Sequence, residues 1–194
     1  MKFLALLVMA FALNTEATIY NSKAIVHPEV GKNGMVVSQH YLATNAGHSI
    51  LAEGGNAYDA SIAVAFALAV VLPRAGNIGG GGFMVMFDEA SQESYSIDYR
   101  EIAPEAATKN MFLASDGSVD KKRATQGVLS IGVPGTVYGM WEVHKKFGSL
   151  PWSTLLAPAI ELAEEGFLIS PFMADALNKR YKNCLLYTSP SPRD

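Results

Sequence analysis

The segment from residue 57 to residue 72 places the strongest constraint on the fold, because it is apolar almost all round. Asn56 precedes it as a favourable N-cap, and Asp59 at the third helical position completes a pattern close to a capping box. Pro73 ends the helical pattern. A helix without a polar face must be buried on most sides, and this one is too short to cross a bilayer, which needs about 20 residues. We therefore predict a core helix at 57–72.

The other periodic segments predict a mixed α/β fold. Four more stretches have helical spacing of apolar residues, at 42–53, 134–147, 153–165 and 171–181. Ser153 is the expected N-cap of the third, and Pro158 is expected to kink it or mark its start. Strands are predicted at 35–37, at 83–87 as a buried strand, and at 93–99. The last two form a hairpin, but these strands are too few to close a sheet.

Composition excludes several classes of function. Of 194 residues, 49% are hydrophobic and 17% are charged, which is typical of a folded domain. The net charge of −3 and the absence of a long basic run argue against nucleic acid as a partner, and the basic residues 121–123 fit a solvated loop. Cys184 is the only cysteine and the four histidines lack close spacing, so we expect neither a metal site nor a cofactor.

The N-terminal residues have the pattern of a secretory signal. Lys2 supplies a short basic start, residues 3–13 form an unbroken apolar run, and small and polar residues follow up to Ala17. We expect a signal peptide at 1–17 and a periplasmic or secreted protein. A buried N-terminal helix or strand is the alternative.

Four consecutive glycines at 79–82 form the most unusual local feature. Glycine permits backbone dihedral angles that other residues avoid and lets another chain or a ligand come close. A phosphate-binding loop would need Lys and Ser or Thr after the glycines, and Phe83 and Met84 follow instead. A dinucleotide site would need a strand before the glycines and a helix after them, which is the reverse of the predicted order. We therefore favour tight packing of the backbone beneath an active site.

Arg100 follows the second strand of the hairpin and has two interpretations. A guanidinium at a strand end can hold a carboxylate through two parallel hydrogen bonds. Alternatively, Arg100 forms a structural ion pair with Asp98 or Glu101. The residues alone leave both open.

Three motifs together resemble the large subunit of gamma-glutamyltransferases, the glutathione-hydrolysing enzymes. They read GGNAYDA at 54–60, AGNIGGGGFM at 75–84 and DYREIAP at 98–104. PGTV at 134–137 and the stretch 151–167 are also similar to that family, and the likeness runs from about residue 34 to about residue 179. Three separated motifs in the same order make the resemblance specific.

The resemblance implies an N-terminal-nucleophile hydrolase fold, a four-layer αββα sandwich that is incomplete in this fragment. It implies a precursor that cuts itself into a large and a small subunit, whose new N-terminal threonine attacks glutathione and other gamma-glutamyl compounds. The acyl group then passes to water or to an acceptor amino acid. By the same resemblance, Arg100 binds the α-carboxylate of the gamma-glutamyl group.

The chain departs from the family pattern in lacking a catalytic residue. None of its threonines lies in a Thr-Thr-His or Thr-Ser-His context, so the nucleophile is expected beyond its last residue. We expect residues 18–183 to be the N-terminal portion of the large subunit, and 184–194 to be a non-native or disordered tail. The missing small subunit would be its partner, and the fragment by itself is expected to be inactive.

Two other functions remain open at this point. One is a related acylase on the same scaffold, such as a cephalosporin acylase or a poly-gamma-glutamate depolymerase. The other is a non-catalytic fragment that binds gamma-glutamyl ligands. The second requires the fragment to fold alone, and the unpaired strands and the apolar helix 57–72 count against that.

Overall fold

A computed structural model describes residues 29–188, with side chains described up to Lys179. The chain divides into two units, Met1–Asn33 and Gly34–Asp194, and all of the regular elements below belong to the second. These elements are α1 (Tyr41–Ala52), α2 (Ala57–Val71), β1 (Phe83–Asp88), β2 (Glu93–Asp98), α3 (Lys121–Thr125), a 3-10 turn (Val128–Ser130), α4 (Thr136–Phe147), α5 (Trp152–Glu165) and α6 (Pro171–Thr188). The signal peptide predicted at 1–17 lies outside the described residues.

Helix α2 is the predicted core helix. The Asn56 side chain accepts hydrogen bonds from the N–H groups of Tyr58 and Asp59 at 2.9 Å each, and the Asp59 carboxylate accepts the Asn56 N–H at 3.1 Å. These reciprocal bonds confirm the capping box. Only Ala57 and Ser61 of α2 are exposed, because α1 and α5 pack against the helix along its length.

Asp59 also ties α2 to the loop between α4 and α5. Its side chain is fully buried and accepts hydrogen bonds from the backbone N–H groups of Ser149 and Leu150, and from the Ser149 hydroxyl. The Asn56 amide donates to the Phe147 carbonyl at 2.7 Å. A buried carboxylate needs such donors, since burial removes it from water. The capping residues of α2 therefore also anchor the end of α4.

The hairpin is confirmed, with β1 and β2 paired antiparallel and Val85 opposite Ser96. Its inner face packs on the main core, which contains Ile50, Ile62, Met86, Met140 and Leu155. The outer face of β1 consists of Phe83, Val85 and Phe87, which are 63%, 83% and 55% exposed. The prediction of a buried strand was therefore wrong for this face. Side chains alternate along a strand, and no part of the described chain covers the outer set.

Other predictions at element ends need correction. Residues 35–37 form no strand, because they have no paired partner in the described part of the chain. Ser153 is not an N-cap: α5 begins at Trp152 with Pro151 as its N-cap, and Pro158 lies inside the helix. Helix α6 extends beyond residue 181 to Thr188. The basic residues 121–123 are exposed as expected, but they lie in the short helix α3.

Among the described helices, none has the length and apolar character needed to cross a membrane.

Candidate functional site

The backbone around Arg100 is fixed on both sides. Before it, the Tyr99 N–H donates to the Gly82 carbonyl at 3.0 Å and so extends the pairing of the hairpin. After it, Ile102 exchanges two hydrogen bonds with Val133, at 3.2 and 2.8 Å. Arg100 thus lies on a short segment held at both ends, although it is outside regular secondary structure.

The Arg100 side chain is exposed and has no ion-pair partner among the described residues. Asp98, one of the two partners considered from the sequence, instead accepts the backbone N–H of Arg100 at 2.9 Å. The carboxylate of Glu101, the other partner, lies more than 4.0 Å from the guanidinium. The structure therefore does not form the structural ion pair, and the guanidinium is available to an anion from solution.

The glycine segment 79–82 packs directly against this strand end. A Cβ atom at Gly81 would lie 2.5 Å from the Tyr99 carbonyl oxygen and from the Glu101 nitrogen, and 2.6 Å from the Arg100 Cα. A Cβ at Gly82 would lie 3.0 Å from the Tyr99 ring. Real Cβ atoms do not approach backbone so closely, so only glycine fits at Gly81. This confirms the interpretation of the glycines as a close-packed turn.

The same turn also receives the N-terminus of α4. The Gly80 carbonyl accepts hydrogen bonds from the N–H groups of Gly135 and Thr136, at 2.8 and 3.1 Å. Gly135 offers no side chain as a cap, so the turn satisfies donors that a helix start otherwise leaves open. Since Gly80 occupies these donors, they are not free to bind a phosphate.

Three sequence motifs therefore meet in space: the glycine turn, the strand end that carries Arg100, and the start of α4. The GGNAYDA motif does not belong to this cluster, because its Asp59 forms hydrogen bonds with the loop at Ser149. Sequence reasoning missed the contact between α4 and Tyr99. Gly135 and Gly139 lie one helical turn apart, and this spacing could have indicated a close contact on that face of the helix.

Tyr99 borders Arg100 and is half-buried. Burial raises the pKa of its phenol above the ordinary value of about 10. The phenol therefore stays neutral at physiological pH and adds no negative charge beside the Arg100 guanidinium.

Elsewhere in the described chain, the residues form no metal centre, and the cavity described below lies apart from Arg100. Within the described residues, no group of three His, Cys, Asp or Glu side chains is placed to hold a metal ion. A cavity of about 530 Å³ lies between the end of α2 and the start of α6, with His40, Arg74 and Phe172 in its wall. Arg100 does not line it, and the Arg74 guanidinium stacks on the Phe172 ring, 5.4 Å from its centre. The cavity is therefore separate from the Arg100 cluster.

Comparison with known proteins identifies the family. The family model for gamma-glutamyltranspeptidase matches residues 43–193, beyond residue 179 where the motifs alone ended the likeness. The glutathione hydrolase proenzyme of Pseudomonas aeruginosa is 49% identical over 137 residues, covering 71% of this chain and 24% of that protein. The proenzyme of Escherichia coli is 44% identical over 153 residues, covering 79% and 26%. The chain thus spans about a quarter of the length of these curated relatives.

Solved structures agree with this assignment. Helicobacter pylori gamma-glutamyltranspeptidase matches with a TM-score of 0.79 at 48% identity, over 84% of this chain and 46% of that one. The cephalosporin acylase of Bacillus halodurans matches with a TM-score of 0.68 at 28% identity, over 90% and 32%. These matches confirm the fold class: a mixed α/β, N-terminal-nucleophile hydrolase fold of the four-layer αββα type, of which the described residues supply a part. The chain belongs to the gamma-glutamyltranspeptidase family.

Proposed function

We propose that this protein serves the hydrolysis of glutathione and the transfer of gamma-glutamyl groups, with Arg100 binding the α-carboxylate of the substrate. One observation carries the proposal: an exposed guanidinium, without an ion-pair partner among the described residues, stands on a backbone segment fixed at both ends. Relatives at 49% and 44% identity are named glutathione hydrolase proenzymes. A gamma-glutamyl group presents a free carboxylate, which is the bidentate partner that arginine geometry suits.

Substrate binding and bond breaking are carried out by different residues. Arg100 holds the carboxylate end of the substrate and takes no part in bond breaking. The attacking group is a threonine hydroxyl of the small subunit. Its oxygen adds to the gamma-carbonyl carbon, its proton passes to the leaving amine, and the C–N bond breaks to release cysteinylglycine. Water then cleaves the ester and releases glutamate, or an amino acid takes the acyl group. Holding one end of the substrate turns the attack into an effectively intramolecular step.

A comparison of two substrates tests this proposal against the acylase alternative. The experiment uses a longer protein, in which this chain is extended to the length of its relatives. We call this protein the full-length version. We expect it to cleave glutathione with a kcat/KM at least about 100-fold above that for an acyl amide without an α-carboxylate, because only glutathione engages Arg100. Equal rates for the two amides would favour a related acylase. Binding of glutathione without any cleavage would favour the non-catalytic alternative.

We also propose that the outer face of β1 packs against strands contributed by the small subunit. Phe83, Val85 and Phe87 are more than half exposed and lie in a row on one strand. Contiguous exposed apolar side chains of this kind mark surfaces that another part of the assembly covers. The outer face is the back of the sheet whose inner face already packs on the helices.

Substitution of Val85 tests this packing. In the full-length version, Val85→Asp should lower the free energy of unfolding by about 2 kcal/mol or more, because a carboxylate would be buried without a partner. The matched control is Ala90→Asp, which adds the same charge in the exposed turn of the same hairpin and should change stability by no more than about 0.5 kcal/mol. Urea unfolding measures both variants. Equal effects would contradict a buried outer face.

A further inference from the structure

Gly139 lies inside α4 and faces Tyr99, the residue before Arg100. A Cβ atom at Gly139 would lie 2.8 Å from Cδ1 of the Tyr99 ring, and closer still to its Cβ and Cγ. One turn earlier, a Cβ at Gly135 would overlap the Tyr99 carbonyl oxygen. Helix α4 therefore touches both the backbone and the root of the side chain of Tyr99.

Glycine inside a helix is less favourable than alanine, so its presence needs a reason. Gly139 is buried, and its φ does not lie in the left-handed region that favours glycine. Close approach to Tyr99 is the requirement that remains. The contact is made at the root of the ring, so a rotation of the side chain would not relieve an added methyl group. The backbone at Tyr99 would have to move instead.

Tyr99 is also held by the glycine turn. Gly82 accepts its N–H and packs beneath its ring, with 3.0 Å between the ring and a Cβ placed at Gly82. The residue is thus in contact with both the glycine turn and α4. Since Arg100 is the next residue, the position of its Cα depends on how the glycine turn and α4 hold Tyr99.

We propose that Gly139 and Gly135 are positioning residues for Arg100: they let α4 approach closely enough to seat Tyr99 and so aim the guanidinium at the substrate α-carboxylate. The inference rests on the proposed function and adds a specificity determinant to it. Bidentate binding tolerates displacements of only about 0.5 Å. A methyl group at Gly139 would displace Tyr99 by more than that, because the overlapping atoms must separate to ordinary contact distance.

The test measures preference for the α-carboxylate. In the full-length version, kcat/KM is determined for glutathione and for its analogue in which the gamma-glutamyl α-carboxylate is an amide. The ratio of the two values reports on Arg100, and a general loss of folded enzyme lowers both values equally. Gly139→Ala is expected to reduce this ratio by roughly 10-fold or more, since small misplacements of a binding group have effects of this size.

Gly47 supplies a matched control. It is a buried glycine in helix α1, where an added Cβ would lie 2.6 Å from Cγ2 of Val64 and 2.9 Å from Cγ1 of Val36. Gly47→Ala therefore introduces a similar overlap away from Arg100, and the carboxylate-to-amide ratio should stay at its original value. A ratio that falls equally in Gly47→Ala and Gly139→Ala would overturn the inference.

Two more variants complete the design. Arg100→Ala should abolish the preference; if it does not, the proposed substrate role of Arg100 fails. If Arg100→Ala abolishes it while Gly139→Ala keeps it, only the positioning role fails. Tyr99→Ala removes the seated ring without adding atoms, and it should also lower the ratio. If Gly139→Ala does not fold, Tyr99→Ala tests whether contacts at Tyr99 position Arg100. An unchanged ratio in Tyr99→Ala would overturn the inference.

Discussion

Replacing Arg100 by alanine in the full-length version should lower kcat/KM for glutathione by about 100-fold or more, while self-cleavage of the precursor continues. Each hydrogen bond to a charged group contributes about 1.5–3 kcal/mol, and about 1.4 kcal/mol corresponds to a factor of ten. A bidentate arginine makes two such bonds. Self-cleavage involves no gamma-glutamyl substrate, so it does not need this guanidinium. Steady-state kinetics and gel analysis of the subunits measure the two effects.

Two further substitutions separate the loss of the Arg100 guanidinium from a general effect of net charge. Arg100→Lys keeps the positive charge but loses the planar fork, so it should recover only part of the activity. Arg123→Ala removes an exposed arginine from α3 and should leave kcat/KM unchanged. Undiminished turnover in Arg100→Ala would remove Arg100 from the substrate site. An equal loss in Arg123→Ala would indicate a general effect of net charge.

Asp59→Ala should lower the free energy of unfolding of the full-length version by about 3 kcal/mol. Alanine leaves the partly buried N–H groups of Asn56, Ser149 and Leu150 without their acceptor, and each such loss costs about 1–3 kcal/mol. The variant also removes the hydrogen bonds that join the start of α2 to the loop after α4. Urea unfolding followed by circular dichroism measures the change.

Asp120→Ala is the control for this prediction. Asp120 also caps a helix, accepting the Arg123 N–H at 2.9 Å, but it caps the exposed five-residue α3. Losing such a cap should cost no more than about 1 kcal/mol. Similar destabilisation by the two substitutions would mean that Asp59 acts only as a cap, and that its bonds to the loop at Ser149 contribute little.

Helix α2 was predictable because local rules determine it. The capping pair Asn56 and Asp59 and the stop at Pro73 define α2 from neighbouring residues alone, and the structure agrees to within one residue. The hairpin follows from the apolar run at 83–87, the second strand at 93–99 and the polar turn between them. Arg100 could be singled out because arginine at a strand end has few roles, although the sequence could not separate a ligand site from an ion pair.

Features that depend on distant contacts could not be predicted. Exposure of Val85 depends on what covers the sheet, and a run of apolar residues looks the same whether one face or two are buried. The second set of bonds to Asp59 joins residues about 90 positions apart. The contact between Tyr99 and α4 depends on the distance between that helix and the strand end. The spacing of the glycines suggests a close approach but does not determine this distance.

Binding of the gamma-glutamyl α-carboxylate by Arg100 can be observed in a crystal structure of the full-length version with bound glutamate. We expect both carboxylate oxygens within about 3 Å of two Arg100 nitrogens, in the bidentate arrangement. Tyr99 should remain seated against Gly139. A glutamate whose α-carboxylate is held by other residues, with the Arg100 guanidinium still facing solvent, would rule out this role for Arg100.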